Sequence, residues 1–236
     1  MSGFADEGRY GARIGVEDVG NLLVGELLLL LHAQDAAQVF WQSLQAVLQP
    51  YGILTLFEEG LDCLHLYKPG SSPMYAERLL TLLSDEYYSK IVVHDHFYLK
   101  EEYKLRGIHI DNDSVSIPNG YKGKISCTCR KIEDLKEAKR HMDYVFLKNI
   151  FDSQTFAENK SSFTANELEE AARRGLIDRH VYALGGMNID NIRVAKDLGF
   201  GGVVICGDLW NRFNIHQELD YKALITHFEK LRKIIG

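Results

Sequence analysis

The segment Val181-Tyr-Ala-Leu-Gly-Gly-Met-Asn-Ile-Asp-Asn-Ile192, continued by Gly199-Phe-Gly-Gly-Val-Val-Ile-Cys-Gly-Asp208, decides the fold. A short apolar run, Val181 to Leu184, stops at Gly185-Gly186. A helix is expected close behind, with Asn188 or Asp190 as its cap, because short polar side chains satisfy the orphan N–H groups of a first helical turn. Val203 to Cys206 reads as a second buried strand that ends at Gly207. Alternating strand and helix predicts neighbouring parallel strands. Glycine turns at their ends expose backbone N–H groups beside helix N-termini, which is how phosphate is bound without a dedicated cation. The last two strand ends of a (β/α)8 barrel are where such a cup usually sits. The segment therefore predicts a barrel and a phosphorylated ligand together.

The same alternation extends upstream. Cys63–Tyr67, Ile91–His94, Gly107–Ile110, Lys124–Thr128 and Tyr144–Leu147 read as strands. Between them, Tyr75–Leu83, Phe97–Leu105 and Ile132–Arg140 carry helical apolar spacing, and Ile53–Glu59 reads as the end of a helix stopped by Gly60. A polar loop follows Leu147 as far as Ser162, long enough to serve as a lid. Thr164 and Glu167 then form a capping box. Tyr221–Ile235 is a closing amphipathic helix. Seven strands from residue 63 onward need one more to close a barrel of eight. Leu27–Leu31 is the first candidate and Ala37–Trp41 the second. The expectation is a single α/β domain, a (β/α)8 TIM barrel over residues 26–236, preceded by an atypical extension over 1–25.

Composition agrees. The chain has 236 residues, 46% of them hydrophobic and 25% charged, enough for one large core. A net charge of −6 gives no basic face for nucleic acid. Leu27–Leu31 is far shorter than the roughly 20 apolar residues a membrane span requires. The segment before it carries acids among its two arginines, unlike a secretion signal. Cys63, Cys127 and Cys206 fall in expected strands and Cys129 just past one, so the reading is free thiols in a reducing cytoplasm.

In a barrel of this kind chemistry sits just after each strand. Those positions hold Tyr67, Lys68, His94, Asp95, Asp111, Asn112, Asp113, Thr128, Arg130, Lys148, Asn149, Ser153, Gly186 and Gly207. Asp95 and Asp113 end neighbouring strands. Two such carboxylates suit Mg2+, which takes one or two and fills its shell with water and substrate phosphate. They equally suit a helix cap at Asp95 and an Asx turn at Asp113. His94 reads as a hydrogen-bonded barrel histidine, with a metal or acid–base role as the alternative, and His65 and His109 as interior packing.

Taken together, Leu64-His-Leu-Tyr-Lys-Pro-Gly70, Ile91-Val-Val-His-Asp95, Gly107-Ile-His-Ile-Asp-Asn-Asp113, Ala183-Leu-Gly-Gly-Met187 and Gly199-Phe-Gly-Gly-Val203 resemble the thiamine phosphate synthase family, which shares its fold with the thiazole tautomerases. The resemblance runs over about residues 52–212. It implies a reaction in which an aminopyrimidine methyl diphosphate loses pyrophosphate and the nitrogen of a thiazole phosphate attacks the resulting cation. It further implies Mg2+ on Asp95 and Asp113, with Thr128 against the pyrophosphate and His94 near the pyrimidine diphosphate, where the family commonly has asparagine. Ser153 and Thr155 fall on loop hydroxyls that touch thiazole phosphate and pyrophosphate. Gly186, Cys206 and Gly207 fall on the phosphate cup.

The chain departs from the pattern at its cations. Tyr67-Lys68 stands where the family has an arginine followed closely by a lysine, and Ser153-Gln-Thr155-Phe156 lacks the lysine of a Thr-x-Thr-Lys loop. Lys68 and Arg130, with Lys148, are the expected replacements. Arg130 also stands where tautomerase activity is associated with histidine, and arginine is a poor proton shuttle. A homologue that keeps the phosphate cup without diphosphate chemistry, binding or isomerising a thiazole phosphate, is the alternative. A phosphosugar isomerase is a more distant one.

Overall fold

The computed structural model describes residues 27–31 by their backbone, and residues 52–67, 70–111, 117–153, 159–210 and 221–235. The expectations for residues 1–25, for Ala37–Trp41 and for Lys68, Asp113 and Thr155 lie outside those residues. The strands are β1 (Leu27–Leu31), β2 (Cys63–Leu66), β3 (Ile91–Val93), β4 (Gly107–Ile110), β5 (Lys124–Cys129), β6 (Tyr144–Lys148), β7 (Val181–Leu184) and β8 (Gly202–Ile205). From β2 to β8 each pairs in parallel with the next, forming a curled, TIM-like sheet of seven strands. The short β1 pairs in parallel with β2, Leu28 opposite Cys63, and with β8, Leu27 opposite Val203.

Helices occupy the connections: α1 (52–58), α2 (Pro73–Leu82), α3 (Tyr98–Glu102), α4 (Leu135–His141), α5 (Ala165–Arg173), α6 (Ile192–Asp197), α7 (Gly207–Trp210) and α8 (Tyr221–Ile235). Local chemistry sets several of their ends. Pro73 occupies the first turn of α2 and the Ser72 side chain accepts from the Met74 N–H. Both halves of the Thr164–Glu167 capping box form at α5.

Some boundaries differ from the sequence reading. β3 stops at Val93 and β8 at Ile205, one residue early in each case, while β5 runs on to include Cys129. α3 ends well before Leu105, because Lys104 takes a left-handed φ of 54° that no α-helix accommodates. Ile132–Arg140 divides into a 3-10 turn at Ile132–Asp134 and α4. Neither Asn188 nor Asp190 caps α6; Asn191 holds that position. The Asn188 side chain is spent one turn earlier, accepting the N–H groups of Asp190 and Asn191 in an Asx turn.

Strand alternation sorts the apolar residues into two cores. Leu64, Leu66, Ile91, Val93, Val145, Leu147, Val181, Ala183, Val203 and Ile205 face outward and pack beneath the helices. Cys63, Val92, Tyr144, Phe146, Tyr182 and Val204 face inward and form a second cluster. His65, His109 and Ser126 share that inner parity and are fully buried or nearly so. The inner core is therefore unusually polar, and it forms the floor of the site.

Candidate active site

Continuing the inner parity to the strand ends and just beyond them places Tyr67, His94, Asp111, Thr128, Arg130 and Lys148 on one rim. Asp111 is the point at which several of them meet. Its side chain is 18% exposed. The Tyr67 hydroxyl donates to Asp111 Oδ2 at 3.3 Å. Arg130 leans across from β5, donating from Nη1 to the Asp111 carbonyl at 3.0 Å and bringing Nη2 within 3.7 Å of Oδ2. Burial alone would raise the Asp111 carboxyl, but His109, Lys148, Thr128 and Arg130 together hold it below the usual carboxylate range. Tyr67 moves the other way, pushed up first by burial, then by Asp111 and Asp95. Both carboxylates thus act on the same phenol.

Beneath this rim lies a hydrogen-bonded stack. His94 Nε2 meets His65 Nδ1 at 2.8 Å, and His65 Nε2 meets the Tyr144 hydroxyl at 2.7 Å. His109 bonds Ser126 through Nδ1 at 2.7 Å and Thr128 through Nε2 at 2.8 Å. Burial holds His65 well below the ordinary histidine value, with His109 and Arg106 adding to the effect. Burial likewise brings His109 down to about 3, against a partial upward pull from Asp111. Both rings are therefore neutral, as desolvation of a cation requires.

The ring nitrogens of His65, His94 and His109 lie within 4.8 Å of one another. The arrangement does not suit a metal. His94 and His109 are stacked, with centroids 4.2 Å apart and planes inclined by 23°, so their lone pairs lie in separate, nearly parallel planes and do not aim at a point between the rings. His65 already uses both nitrogens. Imidazole is also a poor match for Mg2+, which takes hard oxygen ligands. Asp95, half-buried after β3, offers such an oxygen, and its charge and that of Asp111 both act on Tyr67. A carboxylate oxygen such as that of Asp95 is the kind of ligand Mg2+ takes, whereas the histidines are not.

The remaining expected residues divide between places. Thr128 lies in β5, bonded to His109. Ser153 lies after β6, its N–H donating to the Asn159 carbonyl at 2.8 Å and so tying the base of the long loop. Lys160 is held outside by Asp152 at 3.1 Å, whereas half-buried Lys148 acts on both Asp111 and His109. Lys148 is thus the inward cation of that strand and loop. His96 sits at φ 53° and bonds the Ser71 carbonyl at 3.0 Å, linking the loops after β2 and β3 instead of extending β3.

Gly185 and Gly186 have φ of 107° and 65°. A Cβ at Gly185 would stand 2.9 Å from Asn149 Cα, and one at Gly186 would run into the Asp152 carbonyl and Phe151. These glycines let the β7 turn lie directly against the loop after β6. Gly207 opens α7, which is fixed to α8 by a buried pair: His227 Nε2 donates to Asp208 Oδ2 at 2.7 Å.

Sequence reading placed these residues at strand ends and offered Lys148 as a replacement cation, but gave Asp111 and Tyr67 no role and treated His65 and His109 as interior packing. Parity was the available signal. Residues two apart along a strand and just beyond it face the same way, and this connects His109 with Asp111, Thr128 with Arg130, and Phe146 with Lys148. Tyr144 and Ser126 had no signal beyond their inward positions.

Comparison with known proteins follows the same residues. The family model for thiamine monophosphate synthase matches residues 68–209, which covers most of the rim. A solved thiamine phosphate pyrophosphorylase from Bacteroides thetaiotaomicron is 44% identical, covers 89% of this chain and 96% of its own, and superposes with a TM-score of 0.75. A second thiamine phosphate pyrophosphorylase, from Pyrococcus furiosus, is 18% identical, with 79% and 89% coverage and a TM-score of 0.59, a likeness of fold. The thiamine-phosphate synthase of Limosilactobacillus reuteri is 24% identical over 163 residues, which is 66% of this chain and 70% of its own. No helix among the described residues is long and apolar enough to cross a membrane. The chain belongs to the thiamine monophosphate synthase family, whose named relatives are transferases.

Proposed function

We propose that this chain joins an aminopyrimidine methyl diphosphate to a thiazole phosphate and releases pyrophosphate. The observation that carries the reading is the 44% identity, over 89% of the chain, to a protein named thiamine phosphate pyrophosphorylase. The rim chemistry is in keeping with it. Ionisation of the diphosphate piles negative charge on the leaving oxygens, and fixed cations that meet them lower the barrier. Lys68 and Arg130 take that role together with the Thr128 hydroxyl, and Lys148 adds a further positive charge from β6. Arg130 thereby offsets the arginine that Tyr67 replaces. His94 lines the pyrimidine side. Ser153, Thr155, Gly186, Cys206 and Gly207 form the thiazole phosphate cup.

Asp95 and Asp113 would hold Mg2+, which when bound neutralises the leaving diphosphate. Asp111 stays with Tyr67 and Arg130 and aims the guanidinium across the rim. The buried stack beneath excludes water from the reacting face, which protects a cationic pyrimidine from hydrolysis. The β1 pairings to β2 and β8 support a complete (β/α)8 barrel, with residues 1–25 as an extension to it. Four free thiols are in keeping with a reducing cytoplasm.

Calorimetry with Mg2+-pyrophosphate tests the diphosphate half of the site. Binding below millimolar concentration, lost in Asp95→Ala, is the expected result. No heat at millimolar ligand, alongside normal thiazole phosphate binding, would favour a homologue without diphosphate chemistry.

A further inference from the structure

Asp208 and His227 form a pair buried on both sides. Their side chains are 5% and 9% exposed, and Oδ2 and Nε2 lie 2.7 Å apart. Arg130–Asp111 and Lys139–Asp178, by contrast, each leave one partner to solvent. An ionised carboxylate only accepts, so the bond runs from His227 to Asp208 whether the imidazole is neutral or charged. His227 stands in the apolar stripe of α8: Leu224, Phe228 and Leu231, at helical spacing around it, are all buried. α7 packs on α8, and its Leu209 is fully buried. A leucine at position 227 would complete the stripe and dock α7 by apolar burial alone. Exchanging a buried polar pair for apolar side chains of similar volume is often neutral or stabilising, so stability does not account for this pair. What it adds to packing is direction, since a short hydrogen bond fixes how α7 is turned.

The turn of α7 sets the backbone just before it. Asp208 directly follows Gly207 and lies two residues past Cys206, and the Leu209 N–H closes back on the Cys206 carbonyl at 3.1 Å. β8 pairs with β7 through Val203 opposite Ala183 and Val204 opposite Leu184, so this turn emerges beside Gly185-Gly186. The two turns are held by different devices. Gly185-Gly186 is wedged against the loop after β6, whereas Cys206-Gly207 is anchored through Asp208 to α8. Granted that Cys206 and Gly207 hold the thiazole phosphate, as the proposed reaction has it, we propose that Asp208 and His227 are positioning residues for that cup: their buried bond fixes the Cys206-Gly207 turn where its backbone meets the phosphate. Both side chains are buried against each other, so they act through the turn and not on substrate.

The test is calorimetric binding of thiazole phosphate and, separately, of Mg2+-pyrophosphate to the full chain, unmodified and as His227→Leu, His227→Gln and Asp208→Ala. His227→Leu keeps the apolar stripe and loses the bond. It should melt no lower than the unmodified chain, yet bind thiazole phosphate about tenfold more weakly, the size of one lost hydrogen bond, and bind Mg2+-pyrophosphate as before. His227→Gln puts an amide donor near the place of Nε2 and should restore most of the lost affinity. Asp208→Ala should match His227→Leu, and the double variant should lose no more than either alone, because the same bond is broken in each. Unchanged thiazole phosphate affinity in His227→Leu would overturn the inference, as would equal weakening for both probes or losses that add in the double variant. Should one of the two fail to fold, the other decides; failure of both, with His227→Gln folded and binding normally, would assign the pair to stability and overturn the positioning role.

Kinetics give the functional readout. His227→Leu should raise KM for thiazole phosphate about tenfold and leave kcat and the KM for the pyrimidine diphosphate unchanged. A fall in kcat with both KM values unchanged would overturn the positioning claim. If the unmodified chain binds thiazole phosphate but forms no thiamine phosphate, the proposed reaction fails, and the thiazole phosphate binding series decides the inference by itself. If it binds no thiazole phosphate, the cup is absent and the inference falls with it.

Discussion

Arg130 and Asp111 show how one residue's surroundings decide its use. Arg130 is half-exposed and lies 3.7 Å from the Asp111 carboxylate, so the pair itself adds little to stability. Its value lies in pointing a permanent cation across the rim. Arg130→Ala should lower the rate of thiamine phosphate formation about 10- to 100-fold, in line with roughly 1.5–3 kcal/mol for a charge-assisted bond, while the melting temperature stays within a degree or two. Steady-state kinetics beside calorimetric melting would check both halves. Asp95→Ala should abolish turnover yet leave thiazole phosphate binding nearly intact, because Asp95 lies after β3 and the cup residues lie after β6, β7 and β8. Retained turnover would remove Asp95 from the metal site. At this scale the sequence was legible where strand alternation sets a residue's position, as with Thr128 and Arg130 at the end of β5. It was opaque where the chemistry depends on partners far along the chain: Tyr144 meets His65 across 79 positions, and no local pattern encodes that bond.

Among the elements, the β7 turn and the α5 cap make opposite demands on their residues. Gly186 combines a positive φ with a site for Cβ already filled by the Asp152 carbonyl and Phe151. Gly186→Ala should therefore cost about 1–3 kcal/mol, measured by urea unfolding, and should push the β7 turn away from the loop after β6. Phosphate binding in the cup would weaken with it. The Thr164 cap at α5 bonds Glu167 within its own first turn. Thr164→Ala should cost about 1 kcal/mol of stability without changing kcat, since only the capping box is lost. Strands and the capping box were readable in advance because each rests on a local rule, alternation in one case and a four-residue spacing in the other. Helix ends were less so. α3 stops at a left-handed Lys104, and α6 starts late because Asn188 closes a turn first, two outcomes set by competition between local options.

For the whole molecule, the polar inner core implies a stability that depends on pH. His65 and His109 are buried and held neutral, with folded values far below the 6.5 of an exposed histidine, about 3 for His109. The unfolded chain therefore binds more protons below pH 6.5, and stability falls as pH drops from there towards 3. At pH 5 the loss from His109 should be about 2 kcal/mol, from 1.36 kcal/mol per pH unit, and His65 adds to it in the same direction. Asp111 works in the same direction lower down, since its depressed value contributes stability that disappears as pH falls below the ordinary carboxylate range. A flat urea-unfolding profile between pH 7.5 and 5 would contradict the buried neutral stack. The curled parallel sheet itself was legible from strand and helix alternation, and the glycine turns of β7 and β8 located the rim. What the chain concealed was the connection between rim and floor, because it is made by side chains of five different strands and their loops. The account stands most directly on one assay: purified chain with Mg2+, aminopyrimidine methyl diphosphate and thiazole phosphate, followed by chromatography for thiamine phosphate and pyrophosphate. Equal amounts of the two products, lost on omitting any one component, are predicted; thiazole phosphate that binds but is never joined would contradict it.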